Sequence, residues 1–477
     1  MKNILDHEIA HQKYFEEMTR IPHGSYHEEA YSDYLETFAK EQNLSYKRDT
    51  MNNVIIYKPA STGYEDHEPV ILQAHTDMVC EKNNDTEFDF SKDPLQLYIE
   101  DGFLKAKGTT LGADDGVGVA YMLALLADRE AKHPPLECAF TVQEEVGLYG
   151  AMALDPKDFK GKRLINLDDG GETSTCTTSA GGMNVIFTKE CILIPTDIPG
   201  YTIAISGLKG GHSGGEIDKE RGNANKLLAR ALYGMKERLG LQLANFNGGI
   251  KDNAIPREAV ACFVSDAAEE AIEAYVKDLE KVFKEELAFS DAGVTLTLTP
   301  CAIDKAFSIE DTEDICNLLM TLPNGLRHHS MKIEGLSTAS SNIGVVHTSE
   351  NAITINCSLR GAMESYVDTL AMEMDCLAAA FNFTTTREAR YPAWSYREDS
   401  PMRSVMQEVC QKLYGRELEL VAVHGGLECG VFKAMDEDMD IVTMGPKMQD
   451  IHTPQEALDL ASFDGCFHFL KEFLEAL

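Results

Sequence analysis

Short apolar runs alternate with helix-length stretches through the first 180 residues, and this alternation narrows the fold more than any other property of the chain. EEAYSDYLETFAKEQ (28–42) predicts an amphipathic helix with Tyr31, Tyr34, Leu35 and Phe38 on one face. Val70-Ile71-Leu72 reads as a strand, and Gly116 to Asp128 as a buried helix. Leu136 to Val142 and Arg163 to Leu167 read as two further strands. Strands separated by helices imply α/β layering around a mainly parallel sheet.

Thr178-Ser179-Ala180-Gly181-Gly182 reads as a hinge, and beyond it the texture changes. YTIAISGLK, a helix over 223–239, AIPREAVACFVSD, AIEAYVKDLEKVFKEEL and VTLTLTP predict an α+β insert. A comparable series follows, DTEDICNLLMTLP, NAITINCSLRGA and a helix over 365–380, so two small α+β units are expected. From about Met402 the α/β texture returns. The expected organisation is one domain from both chain ends, 1–182 and 396–477, interrupted by an insert over 183–395.

Charge excludes whole classes of partner. Lys and Arg total 43 against 78 Asp and Glu, a formal charge of −35. Such a surface repels phosphate backbones and anionic lipids, so neither nucleic acid nor membrane is an expected partner. The 12 cysteines include no Cys-x-x-Cys pair, and Cys138 and Cys262 sit in apolar runs, as buried thiols in a reducing compartment do. MKNILDHEIAHQ has no apolar signal core, and no run approaches transmembrane length. A cytoplasmic protein is expected.

Potential metal ligands fall just past the C-terminal ends of the strand-like runs, the edge where open α/β sheets gather ligands. His75 and Asp77 follow the first run. Asp114-Asp115 lies in a Gly-rich turn before the buried helix. Glu144-Glu145 and Asp168 end the next two strands, and His452 follows the last. Asp77, two residues from His75 on an extended segment, can take the second imidazole N–H and fix its orientation. Singly, each residue has a plain structural explanation, such as a helix cap at Asp114. Their common edge favours a divalent metal site of nitrogen and oxygen donors.

His75-Thr76-Asp77, Gly112-Ala113-Asp114-Asp115-Gly116, Glu144-Glu145-Val146-Gly147, Asn166-Leu167-Asp168 and His452 together resemble the dinuclear zinc peptidases related to aminoacylase and glutamate carboxypeptidase. Within these, GLKGGHSG (207–214), RGNAN (221–225), HGGLECG (424–430) and FEEMTRIPHGS (15–25) are similar to the aminoacyl-histidine dipeptidases. The resemblance implies a catalytic domain, a lid-like insert and a homodimer formed through it. It implies two divalent ions, zinc or else manganese or cobalt, bridged by Asp114. His75 and Asp168 would complete one ion, and Glu145 and His452 the other. Glu144 would be the general base of a hydroxide shared by the ions, Asp77 the partner of His75, and Asp115 structural. His212 would hold the reacting carbonyl, in its own subunit or a neighbour's, and Asn253, Arg360 and His424 would grip the termini of a dipeptide substrate.

Two short motifs offer rival chemistry. His7-Glu8-Ile9-Ala10-His11 fits the zincin pattern, but it stands too near the start for a sheet to precede it. Gly211-His212-Ser213-Gly214-Gly215 fits a nucleophile elbow, which would make Ser213 a serine hydrolase nucleophile, but Gly214-Gly215-Glu216 is a poor helix start. A related aminoacylase, a tripeptidase and a non-catalytic metal scaffold also compete with the dipeptidase assignment.

Overall fold

The computed structural model describes residues 3–477. Its contacts divide the chain into two compact units. The first comprises the residues up to Ser179 with Trp394–Ala422 and Leu427–Leu477, and the second Ala180–Ala393 with the short return Val423–Gly426. His424 therefore belongs to the second unit, whereas the α/β texture of its surroundings placed it with the C-terminal part of the first. All 12 cysteines are free thiols. Among the described residues no helix is long and apolar enough to cross a membrane.

A six-stranded sheet organises the first unit, in the order Ser45–Arg48, Val54–Lys58, Leu136–Thr141, Val70–His75, Arg163–Asn166, Asp440–Thr443. The last four strands run parallel and the first two are antiparallel additions at one edge. The strands read as continuous apolar runs because both faces are covered. Pleating sends Val70, Leu72, Phe140, Ile165 and Val442 into one core with the helices Ala10–Met18, Glu29–Glu41, Ala113–Ala127, Pro401–Tyr414 and Leu460–Ala476. Ile71, Ala139, Leu164 and Ile441 face the opposite core, with Phe432 of the helix Glu428–Met435.

The second unit carries a nine-stranded sheet in which each pairing is antiparallel. Tyr201, Ile203, Ile205 and Phe263 point to a core shared with the helices Ala224–Leu239, Glu269–Glu286, Ile309–Thr321 and Glu364–Ala380. The intervening Thr202, Ala204, Val260 and Cys262 are only partly covered, the alternation of a one-sided sheet. The two predicted α+β series are not separate units. Gln242–Gly248 pairs with Ser337–Thr348 through Gly248 and Val346, and Asn247 Oδ1 accepts the Thr348 N–H at 3.0 Å. A long-range pairing of this kind leaves no periodic trace in either segment, so the join was invisible in the sequence.

Candidate metal centre

Parallel register brings the predicted ligands to one edge. His75 lies opposite Thr141, and Gln73 opposite Asn166. Glu144, Glu145 and Asp168 follow those partners by two to four residues, so all leave the sheet at the same end. Beneath them runs a polar chain that the sequence did not reveal. Asn166 donates to Gln73 Oε1 at 2.6 Å, the Gln73 amide donates to buried Glu428, and Thr141 Oγ1 donates to the same Glu428 oxygen at 2.8 Å. Burial pushes Glu428 up to about 7.

Asp114 stands between two imidazoles. Its Oδ1 is 3.0 Å from His75 Nε2 and its Oδ2 is 3.1 Å from His452 Nε2. His452 Nε2 is also 2.9 Å from Glu145 Oε1. Donor atoms of His75, Asp114 and Asp168 lie within 4.8 Å of one another, as do those of Asp114, Glu145 and His452. The two groups share Asp114. Glu144 also lies within this range of His75 and Glu145, but it is the Glu145 carboxylate that meets His452 and Asp114. Two imidazoles and four carboxylates, drawn from five separate stretches of the chain, thus meet in one place.

Donor chemistry tests whether cations fit here. His75 Nδ1 lies 3.0 Å from the carbonyl oxygen of Asp77, which can only accept, so in the neutral ring the proton sits on Nδ1 and Nε2 would present a lone pair. That lone pair faces a carboxylate oxygen. Two acceptors at 3.0 Å require a proton or a metal cation between them or beside both. Among the described residues, buried Glu145 Oε1 likewise has no partner at hydrogen-bond geometry despite the imidazole 2.9 Å away. Both features suit borderline divalent cations bound by nitrogen and oxygen.

Electrostatics agree. Burial opposes ionisation of Asp114, but hydrogen bonds from His452 and His75 hold it well below the usual carboxylate range. Burial also opposes charge on His75, yet Asp114 and Asp77 hold it well above an ordinary histidine. His452 is held up to about 10, by Asp114 and then Glu145. Glu144 and Asp168 are pushed well up, first by burial and then by neighbouring carboxylates. Without a cation, this cluster retains protons that a bound metal would displace.

Asp77 faces His75 as expected, but its carbonyl oxygen makes the closer contact. The carbonyl oxygen, not the carboxylate, takes the His75 N–H, and Asp77 Oδ1 is 3.5 Å from Nδ1. The carboxylate instead accepts the backbone N–H groups of Glu144 at 3.0 Å and Glu145 at 3.3 Å, and the Ser25 hydroxyl at 2.7 Å. It thus fixes the segment bearing both glutamates. Asp115 accepts the N–H groups of His75 and Gly118, both at 3.2 Å, a structural part.

Glu456 went unrecognised, one acidic residue among 78. Its buried carboxylate accepts the N–H groups of Leu111 at 2.7 Å, Gly112 at 3.1 Å, Ala113 at 2.8 Å and Asp114 at 3.4 Å. Four converging amides hold the turn that presents Asp114. Glu456→Ala is expected to weaken metal affinity about 10–100-fold, the usual cost of losing a residue that orients a ligand. Metal competition with a chromophoric chelator measures this, and an unchanged affinity would remove Glu456 from the centre.

The other predicted residues gather in the second unit. Gly211-His212 pairs with Ala254-Ile255, and the Ser213 N–H reaches the Asn253 carbonyl at 2.9 Å. A Cβ on Gly214 would stand 2.3 Å from the His424 carbonyl oxygen, 3.0 Å from His212 Cε1 and 3.2 Å from Arg360 Nε, so only glycine lets the three approach. His212 Nδ1 accepts N–H groups from Gly215 at 3.0 Å and Gly214 at 3.3 Å, so the ring proton sits on Nε2. His424 Nε2 meets Ser340 Oγ at 2.7 Å, and burial, then the Arg360 charge, push His424 down to about 3.

Both rival motifs lose their structural context. His7 precedes the first helix and contacts Glu16, while His11 is buried against Phe463 and Phe467 and bonded to Asp464. Ser213 is buried, and a turn with the short 3-10 segment Ile217–Lys219 follows it where an elbow needs a helix.

A histidine and carboxylate cluster at the C-terminal edge of a parallel sheet, with a second α+β unit inserted in the chain, defines a metal-dependent hydrolase of α/β architecture. The sequence matches the peptidase family M20/M25/M40 over residues 71–476, and the chain belongs to that family of peptidases, as its motifs implied. It is 39% identical to the cytosol non-specific dipeptidase of Escherichia coli (strain K12), over 97% of this chain and 96% of the relative. Among solved structures, the aminoacylhistidine dipeptidase from Vibrio alginolyticus superposes with a TM-score of 0.87 at 36% identity, covering 98% of this chain and 96% of that one. Aminopeptidase PepT from Bacillus cereus shares the fold, with a TM-score of 0.58 at 15% identity over 99% of each chain.

Proposed function

We propose that the protein is a metal-dependent dipeptidase that hydrolyses Xaa-His and a broader range of dipeptides, with zinc as the native metal and manganese or cobalt as substitutes. The observation that carries this reading is Asp114 held between His75 and His452, in a chain 39% identical to a relative, and 36% identical to a solved structure, that are both dipeptidases by name. His75 and Asp168 with Asp114 would hold one cation, and Glu145 and His452 with Asp114 the other. A bound pair would supply Lewis-acid polarisation of the scissile carbonyl and lower the pKa of the attacking water.

The chain's own residues do the rest. Glu144 takes the proton of the attacking water and hands it to the leaving amine. Asp77 keeps the glutamate segment in place through two backbone amides. His212, protonated on Nε2, donates to the carbonyl oxygen as negative charge develops there. Arg360 binds the substrate carboxylate, with His424 and Asn253 contacting the termini. The protein works as a cytoplasmic homodimer joined through the second unit.

A substrate panel on metal-reconstituted protein tests the reading. Xaa-His and other dipeptides are expected to turn over at least about 100-fold faster than tripeptides or N-acetyl amino acids, since a missing or misplaced terminus leaves buried polar groups unpaired. Faster turnover of tripeptides, or of N-acetyl amino acids, would replace the proposal with a tripeptidase or an aminoacylase.

A further inference from the structure

Arg360 is 7% exposed, and its Nε has no hydrogen-bond partner among the described residues. A buried guanidinium with an unmet donor is costly unless a ligand completes it. At its other end, Nη1 donates to the hydroxyl oxygen of Tyr391 at 2.9 Å. How Tyr391 comes to be there is written in the sheet. Thr384–Tyr391 pairs with Gly181–Glu190 in constant register from Thr384 opposite Thr188 to Glu388 opposite Asn184. One extra residue then intervenes, with Ala389 at a φ of 51°, and Tyr391 rather than Arg390 falls opposite Gly182. On the other side of Gly182 lies Arg360.

The bulge therefore puts Arg360, Gly182 and Tyr391 in one row across three strands. Bulges re-aim side chains in this way. Without it Arg390 would occupy the row and set a second cation toward Arg360. In the observed register Arg390 instead pairs with Asp368 and Glu364, both at 2.6 Å. The middle position must be glycine, because a Cβ on Gly182 would lie 2.4 Å from both Cζ and Oη of Tyr391. Gly426 closes the other side of the ring, where a Cβ would be 2.8 Å from Cε2. The ring is thus seated between two glycines, with its hydroxyl fixed on Nη1, while Nε keeps no hydrogen-bond partner among the described residues.

We propose that Tyr391 is the positioning residue that orients Arg360 for bidentate capture of the substrate's C-terminal carboxylate, and so sets the enzyme's preference for free peptides over peptides blocked at that end. The inference rests on the reading of Arg360 as the carboxylate ligand. Planar forks gain both strength and selectivity when both N–H groups align with a carboxylate. Tyr391 fixes that plane without itself touching the substrate.

The test compares a dipeptide with its C-terminal amide, using metal-loaded wild type, Tyr391→Phe and Arg360→Gln. Tyr391→Phe keeps the ring between its glycines and removes only the hydroxyl. It is expected to raise KM for the free dipeptide about tenfold, the scale of one charge-assisted hydrogen bond, with kcat and the KM of the amide unchanged. An unchanged KM for the free dipeptide would overturn the proposal. So would an equal rise for dipeptide and amide, which marks a general structural role. Arg360→Gln is expected to abolish the preference for the free carboxylate. If that preference survives Arg360→Gln, the carboxylate reading itself fails, and the role of Tyr391 falls with it.

Discussion

Replacing Glu144 with alanine is expected to lower kcat about 10²–10⁴-fold, the usual contribution of a positioned general base, while both metal ions stay bound. That loss corresponds to roughly 2.7–5.5 kcal/mol of barrier. The division of labour between adjacent glutamates follows from where each carboxylate lies. Glu145 Oε1 is 2.9 Å from His452 Nε2 and within donor range of Asp114, a ligand's place. Glu144 is not needed to complete either triad about Asp114. Asp77 holds both by their backbone N–H groups, so truncating one side chain leaves the other where it was. Glu145→Ala is the matched control, expected to lose one ion. Metal analysis beside steady-state kinetics decides the matter. If Glu144→Ala empties a metal position while Glu145→Ala keeps both ions but not turnover, the roles are exchanged.

The candidate ligands His75, Glu144, Glu145 and Asp168 were legible because each follows a strand-like apolar run, and parallel pairing carries strand ends to a common edge. That rule did not separate Glu144 from Glu145 or find Asp114 in its turn, and those assignments came from the family resemblance. What escaped depends on contacts with no local signature. Glu456 holds the Asp114 turn across more than 340 residues of sequence, and nothing marks it among the other carboxylates. The carboxylate of Asp77 faces His75 as expected, but spacing along a strand did not show that it also takes the amides of Glu144 and Glu145. Tyr391 depends on a one-residue bulge, and a slip of register reverses which side chains share a face. The two α+β series looked separate because their join is a strand pairing over about a hundred residues. Sequence period thus located residues well and misjudged the contacts made by backbone irregularity and long-range pairing.

Removing the metal is expected to abolish peptidase activity completely, and zinc, manganese or cobalt to restore it, with serine-directed fluorophosphonates inert throughout. The pH dependence of reloading carries more information than the loss. In the apoprotein His452 is held up to about 10 by Asp114 and Glu145, and His75 is held well above its ordinary value. Asp168 is pushed up by burial and by Asp114. Each of these raised groups keeps its proton at neutral pH and must give it up to become a ligand, so protons compete with the cation. The sign is therefore fixed: apparent affinity rises with pH, and falls by roughly tenfold or more for each unit from pH 8 to pH 6, one decade per proton displaced. Titration calorimetry in two buffers of different ionisation enthalpy counts the protons. Release of about one or more per ion at neutral pH is expected. Binding with no proton release, or an affinity that stays flat across this range, would mean that the cation does not sit between Asp114 and the two imidazoles, and the centre would have to be sought elsewhere.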